Sequence, residues 1–331
     1  MTTIAVTGAS GFCGSHVAAT AAARGADVLC VGRRPGPVGR HLPWDASREV
    51  PDVSGADLVV HCAAAVGDPV PGSPAEAAMH AVNVDGTARL LEAAAGRPVV
   101  WVSSASVYAP GPGRSRVTED HPVRGHLNAY GRTKAAGEAL ALAAGAVVLR
   151  PRAVYGAGDP HLVPRLLSRV RRGLLVLPGP SVRLSLTAVE NLADACLSAA
   201  GWPPGAYNIA DPAPYDRDAA VRRVLRVHGV RARVGHVPLP VARAAASAAE
   251  ALARLRPHAR PPLTRYAVDQ LAHSVVLDVS RAESQGWVAR RTLEDYGPSP
   301  RAAVRRNGGR GAGGERPEAG AREVRPPEDH A

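Results

Sequence analysis

Lysine is nearly missing from this chain: of 40 cationic residues, Lys134 is the one lysine and the rest are arginine. A composition that uses guanidinium wherever bulk positive charge suffices retains an ammonium where a planar fork would not serve. Aromatic residues are few, at 4%, with Phe12 the single phenylalanine. No apolar run approaches the roughly 20 residues that a bilayer-spanning helix needs, so no membrane segment is expected. The four cysteines, Cys13, Cys30, Cys62 and Cys196, are scattered without a Cys-x-x-Cys pair, and the 12 histidines form no ligand set. That pattern excludes a disulfide framework and a zinc site and predicts reduced thiols, without a metal. A net charge of +11 raises the question of nucleic acid. The arginines are spread along the chain, though, and no helix-turn-helix or RNA-binding signature interleaves them with aromatics, so a basic surface and no nucleic-acid partner are predicted. Repeats are also absent. With 331 residues, 46% of them hydrophobic, there is ample material for a core in one large or two small domains. Met1 to Val6 runs straight into a strand rather than through a signal-peptide layout, which predicts a cytoplasmic protein.

Lys134 lies in the stretch Asn128-Ala-Tyr-Gly-Arg-Thr-Lys-Ala-Ala-Gly-Glu138. Tyr130 is four residues earlier, so on a helix the phenol and the ammonium share one face. A free phenol, with a pKa of about 10, exchanges protons poorly at neutral pH. A neighbouring cation favours the phenolate, and the pair then reads as a general acid/base with its tuner. A surface tyrosine and lysine falling by chance at helical spacing is the alternative. At the N-terminus, the apolar run Thr3–Thr7 predicts a buried strand entering a loop with glycines at Gly8, Gly11 and Gly14, followed by an alanine-rich helix to about Arg24. Strand, glycine turn and helix together place free N–H groups where a pyrophosphate can approach.

The Gly-x-x-Gly-x-x-Gly spacing, taken with Tyr130 and Lys134, resembles the short-chain dehydrogenase/reductase superfamily. Chain length and later motifs are similar to its extended branch, the NAD-dependent epimerase/dehydratase superfamily. These motifs are Asn83-Val-Asp-Gly-Thr, Arg150-Pro-Arg-Ala-Val-Tyr-Gly-Ala-Gly-Asp159 and Val189-Glu-Asn-Leu-Ala-Asp-Ala. The run from Leu263 to Asp278 and on to Ala282 most resembles 3β-hydroxysteroid dehydrogenase-like members. The resemblance implies an α/β Rossmann-type fold: a doubly wound parallel sheet with a smaller C-terminal substrate lobe. It divides the chain into a dinucleotide-binding domain over 1–155, a mostly substrate-binding lobe over 156–297 and a Pro/Gly/Arg/Glu-rich tail over 298–331, expected to be disordered. It also implies a homodimer.

Residue roles follow from the same resemblance. Lys134 binds the nicotinamide ribose and tunes Tyr130, while Ser104 orients the substrate oxygen, with Ser103 and Ser106 as alternatives. Asn83 holds the active-site backbone, its other reading being a helix N-cap. Gly8, Ser10, Gly11, Phe12 and Gly14 form the pyrophosphate loop, Ala63 and Ala64 pass beneath the cofactor, Asp45 lies near the adenine, and Pro151 and Val154 also bind the cofactor. After the second strand, Asp27–Val31, the ribose-binding position holds Gly32-Arg33-Arg34 in place of a carboxylate. A guanidinium attracts a 2′-phosphate that a carboxylate would repel, so the expected cofactor is NADP(H), with NAD(H) second. Sugar dehydratases carry Thr-Asp-Glu where this chain has no acid after Ser104, and many sugar-nucleotide epimerases carry Phe-Asn where this chain has Arg152-Ala153. The expected activity is therefore hydride transfer to or from the carbonyl or hydroxyl carbon of an apolar or alicyclic small molecule. A nucleotide-sugar 4-epimerase or ketoreductase with tightly bound NAD is the alternative, and a silent dinucleotide sensor a second.

Overall fold

The computed structural model describes residues 1–254, 261 and 263–297. Six strands follow in order: β1 (Thr3–Thr7), β2 (Asp27–Gly32), β3 (Arg40–Pro43), β4 (Leu58–His61), β5 (Val99–Val102) and β6 (Val147–Pro151). With Gly205–Ile209 they form one seven-stranded sheet, in the spatial order Gly205–Ile209, β6, β5, β4, β1, β2, β3. Every pairing within it is parallel. The strands read as continuous apolar runs because both faces are covered. Alternate residues go to opposite layers. Ile4, Val6, Val28, Cys30, Val60, Val100 and Leu149 pack with helix α1 (Phe12–Ala23) and the helix Val189–Ser198. Ala5, Leu29, Val31, Val59, Trp101 and Val148 pack with Leu90 and Ala141 of the helices Gly86–Ala93 and Ala129–Ala143. Parallel order with helices on both sides leaves the strands' carboxyl ends along one edge, where the glycine loop, Ala63, Ser104 and Pro151 all emerge.

Short strand pairs build the rest: Leu174–Pro178 beside Arg233–Val237, Arg183–Leu184 beside Tyr215–Asp216, and Val154–Tyr155 beside Thr187–Ala188. The C-terminal half is not all lobe, since the helix Val189–Ser198 packs on α1 and Gly205–Ile209 completes the main sheet. After Asp159 the chain forms a short helix, Leu162–Ser168. Arg172 (φ 50°) and Gly173 (φ 71°) adopt the left-handed conformation, which reverses the chain into the strand Leu174–Pro178. The helix expected to open at Asn83 begins earlier, at Pro74, with Ser73 as its N-cap, and Asn83 falls in a π turn, Ala81–Asp85, leading into Gly86–Ala93. Asn83 is therefore not an N-cap. The tail predicted over 298–331 lies outside the described residues, and among those described no helix is long and apolar enough to cross a membrane.

Candidate active site

The glycine loop leaves β1 against the segment that leaves β4. Gly8 is left-handed (φ 66°), and a methyl group there would stand 2.8 Å from the Ala63 backbone. A methyl at Gly14 would stand 2.3 Å from the Gly8 carbonyl, so α1 can lie this close to the strand only with glycine there. Thr7 ties the two segments: its hydroxyl accepts from the Ala63 N–H (3.2 Å) and shares a 2.7 Å hydrogen bond with His61 Nδ1. α1 then opens on Gly11 without a side-chain cap. Ser10 and Gly11 are exposed beside it and Phe12 is half-buried, so the first-turn N–H groups are available to an anion.

Past the end of β2, Arg33 and Arg34 are exposed and make no ion pair among the described residues. Asp45 lies within range of Arg33, but its carboxylate closes its own turn. It accepts from the Ser47 hydroxyl (2.7 Å) and N–H (2.9 Å) and meets Arg48 at 3.3 Å. The Ser47 hydrogen bonds hold it below the usual carboxylate range. An uncapped helix start, a backbone cradle between Gly8 and Ala63, and free guanidinium groups along the edge fit a dinucleotide phosphate chain.

The helix carrying Tyr130 and Lys134 is capped by Asn128, whose side chain accepts from the Gly131 N–H (2.9 Å). Asn83 fastens this helix to the cofactor edge. Its Oδ1 accepts from the Ala65 N–H (2.7 Å), and its Nδ2 donates to Ala65 O and to Thr133 Oγ1, both at 3.0 Å. Thr133 in turn donates to the Tyr130 carbonyl (3.2 Å). A π turn re-aims one side chain relative to the helix on either side, and here it turns Asn83 inward.

Three serines compete for the substrate position. Ser103 is buried and donates to Glu138 (2.5 Å), which also receives Arg150. Ser106 donates to Ser104 (2.9 Å) and lies near the Tyr266 phenol. Ser104 is the one whose hydroxyl meets Tyr130. Lys134, 2% exposed, donates from Nζ to Val102 O (2.7 Å) and lies 3.6 Å from the centre of the Trp101 ring. Burial pulls its ammonium down to about 7, against the opposing pull of Glu138. Tyr130 departs from the sequence expectation. Burial pushes the phenol up, Tyr266 and Cys13 add to the rise and Ser104 opposes it, while Lys134 is turned toward Val102 and Trp101. Cys13, in the first turn of α1, is close enough to influence both Tyr130 and Lys134, so the glycine loop faces the Tyr130 helix. Pro151 and Val154 lie at the same edge, paired with Ile209 and Thr187.

The model for the NAD dependent epimerase/dehydratase family matches residues 4–210. The chain belongs to that family. Among family relatives, a 4-hydroxy-2-methyl-3-oxo-4-farnesyl-3,4-dihydroquinoline-1-oxide ketoreductase of Stigmatella aurantiaca is 31% identical, covering 88% of this chain and 93% of its own. A 2-alkyl-3-oxoalkanoate reductase of Shewanella oneidensis is 28% identical, over 88% and 83% of the two chains. Of solved structures, MoeE5 in complex with UDP-glucuronic acid and NAD superposes with a TM-score of 0.69 at 27% identity, over 92% of this chain and all of that one. The expected resemblance to extended short-chain dehydrogenases/reductases holds, and the protein is an NAD(P)-dependent enzyme of that type. Tyr266 is the site residue that the sequence did not single out. It lies 136 positions beyond Tyr130, in a helix whose local pattern is only amphipathic.

Proposed function

We propose that this family member is an NADP(H)-dependent ketoreductase or alcohol dehydrogenase acting on an apolar or alicyclic small molecule. The observation that carries this reading is the Ser104 hydroxyl within reach of the Tyr130 phenol, with Lys134 one helical turn on and the glycine loop opposite. NADP(H), when bound at that edge, supplies or accepts the hydride. Ser104 and Tyr130 hold the substrate oxygen, and Tyr130 gives it a proton in reduction and takes one in oxidation. Lys134 binds the nicotinamide ribose; to favour the phenolate its ammonium must leave Val102 and Trp101 and turn toward the phenol when the cofactor is bound. Asn83 positions the helix that carries both. Arg33, free and exposed where a carboxylate would repel a 2′-phosphate, supports NADP(H). The relatives' names support reduction at an oxo group, and Arg152-Ala153 replaces the Phe-Asn of many sugar-nucleotide epimerases.

A second reading, a nucleotide-sugar 4-epimerase with retained NAD, is favoured by the UDP-sugar and NAD complexes among the structural neighbours. Titration of the purified protein with NADPH and NADH, after release and identification of any bound nucleotide, tests the two. Reversible binding that prefers NADPH is expected. A tightly retained NAD would overturn the NADP(H) reading and favour the epimerase.

A further inference from the structure

Arg152 is 6% exposed, and its backbone is fixed on both sides by Thr187, which accepts from its N–H (3.1 Å) and donates to its carbonyl (3.0 Å). Its guanidinium donates to Ser185 O (2.8 Å) and to Gln270 O (3.0 Å), with Gln270 Oε1 at 3.5 Å. Nε is buried without a partner. Of five N–H donors in a fork, at least two are therefore unused. No carboxylate forms an ion pair with Arg152 among the described residues. Asp269, whose charge reaches it, is taken by Arg114 (2.6 Å) and by the Gly111 N–H (2.9 Å). Arg114 is 1% exposed and Asp269 7%, so two buried guanidinium groups share one carboxylate. A buried cation left without a counter-ion is strongly disfavoured, and a group so perturbed marks a candidate ligand site.

The surplus charge lies beside the reacting groups. Ser106 donates to Ser104 (2.9 Å), and the Tyr266 phenol lies near Ser106 and Arg152, as Tyr130 lies near Ser104. Ala153, next in sequence, is held in the left-handed region at φ 47°, which a residue with a Cβ adopts only under strain. Strain of this kind gathers at ligand sites. The unpartnered Nε–H and the uncompensated charge suit a single anionic oxygen, and a carboxylate supplies one.

We propose that Arg152 is a specificity residue that reads a carboxylate on the substrate, placed on the Tyr266 side of the carbonyl held by Ser104 and Tyr130. The placement rests on the ketoreductase reading; the recognition of a carboxylate does not. Binding is measured by calorimetry on the NADP⁺-loaded full chain, using cyclohexanecarboxylate, its carboxamide and its methyl ester as probes that cannot react. Turnover is measured separately with trans-2-hydroxycyclohexane-1-carboxylate and its methyl ester. The acid is expected to bind about 10- to 100-fold more tightly than the amide or ester, the range for a hydrogen-bonded charge. Arg152→Gln should erase that ratio and Arg152→Lys keep part of it, with folding checked by cofactor affinity. Equal affinity of acid and amide in the native protein, or a preference that survives Arg152→Gln, overturns the proposal. The native comparison decides even if the variants do not fold. A protein that binds the acid selectively yet transfers no hydride keeps the carboxylate site and loses the ketoreductase reading. One that reduces ketones without preferring acids does the reverse.

Discussion

Replacing Lys134 by methionine should stabilise the cofactor-free protein at neutral and lower pH, and the gain should fade as pH rises. The ammonium is buried with its pKa pulled from the ordinary 10.5 down to about 7. At about 1.4 kcal/mol per pH unit, that displacement is a burden on the order of 4–5 kcal/mol. The Trp101 ring, 3.6 Å from Nζ, offsets it by about 1–2 kcal/mol, which leaves about 3 kcal/mol. Below pH 7 the lysine is protonated in both folded and unfolded chains, and the burden is present in full. Between about 7 and 10.5 the folded chain gives up its proton while the unfolded chain keeps its own, so the burden falls away. Urea unfolding of the native protein and of Lys134→Met, at intervals from about pH 6 to pH 10, isolates this change, because titrating groups that do not feel the Lys134 charge cancel in the difference. The variant's advantage should shrink by about 3 kcal/mol across the range. A difference constant to about 0.5 kcal/mol would show that the ammonium is not desolvated in the folded chain and would refute the reasoning.

Tyr130→Phe should lower turnover by about 10²- to 10⁴-fold, the usual contribution of a general acid, while NADPH affinity, read by fluorescence titration, stays within about twofold. Arg33→Asp should weaken NADPH more than NADH by about tenfold or more, since it sets a carboxylate against the 2′-phosphate; equal losses would remove Arg33 from cofactor choice. Asn83→Ala removes three hydrogen bonds of 2.7–3.0 Å within a buried junction. It should lower stability by about 2–4 kcal/mol and reduce kcat even at saturating cofactor, because the Tyr130 helix loses its anchor. Burial pushes the Cys13 thiol up to about 12, so it should resist iodoacetamide at pH 8 in the folded protein and react once urea unfolds the chain.

What could be read directly was local. The run Thr3–Thr7, the glycine spacing after it and the helix that follows declare themselves within two dozen residues, because a buried strand needs an unbroken apolar run and a tight turn needs glycine. Tyr130 and Lys134 were legible for a similar reason: helical spacing fixes a shared face. The phenol's environment was not, since it depends on Val102 and Trp101 drawing the ammonium aside, and those contacts come from a strand about thirty residues earlier. Asn83 was recognisable as a motif, but its π turn was not, because the chemistry that inverts the side chain lies in Ala65 and Thr133. Likewise Leu174–Pro178 pairs with Arg233–Val237 across some sixty residues, and Tyr266 reaches Ser106 from a helix with no signature of its own. Arg152 was noted as a substitution in a motif. Its lack of a counter-ion becomes visible only once Asp269 is seen in the hands of Arg114.

The single, buried lysine also makes this protein an unusual reporter of its own opening. A lysine-specific endoproteinase has one bond to cut, after Lys134, dividing the chain into residues 1–134 and 135–331. That bond lies inside a packed helix with the lysine side chain 2% exposed, so cleavage proceeds only through molecules in which the helix has come away from the sheet. Appearance of the two fragments on a gel would therefore time the excursions of the segment that bears Tyr130, with no label attached. Amine-directed dyes and resins, for the same reason, would leave the folded chain untouched except at its first residue.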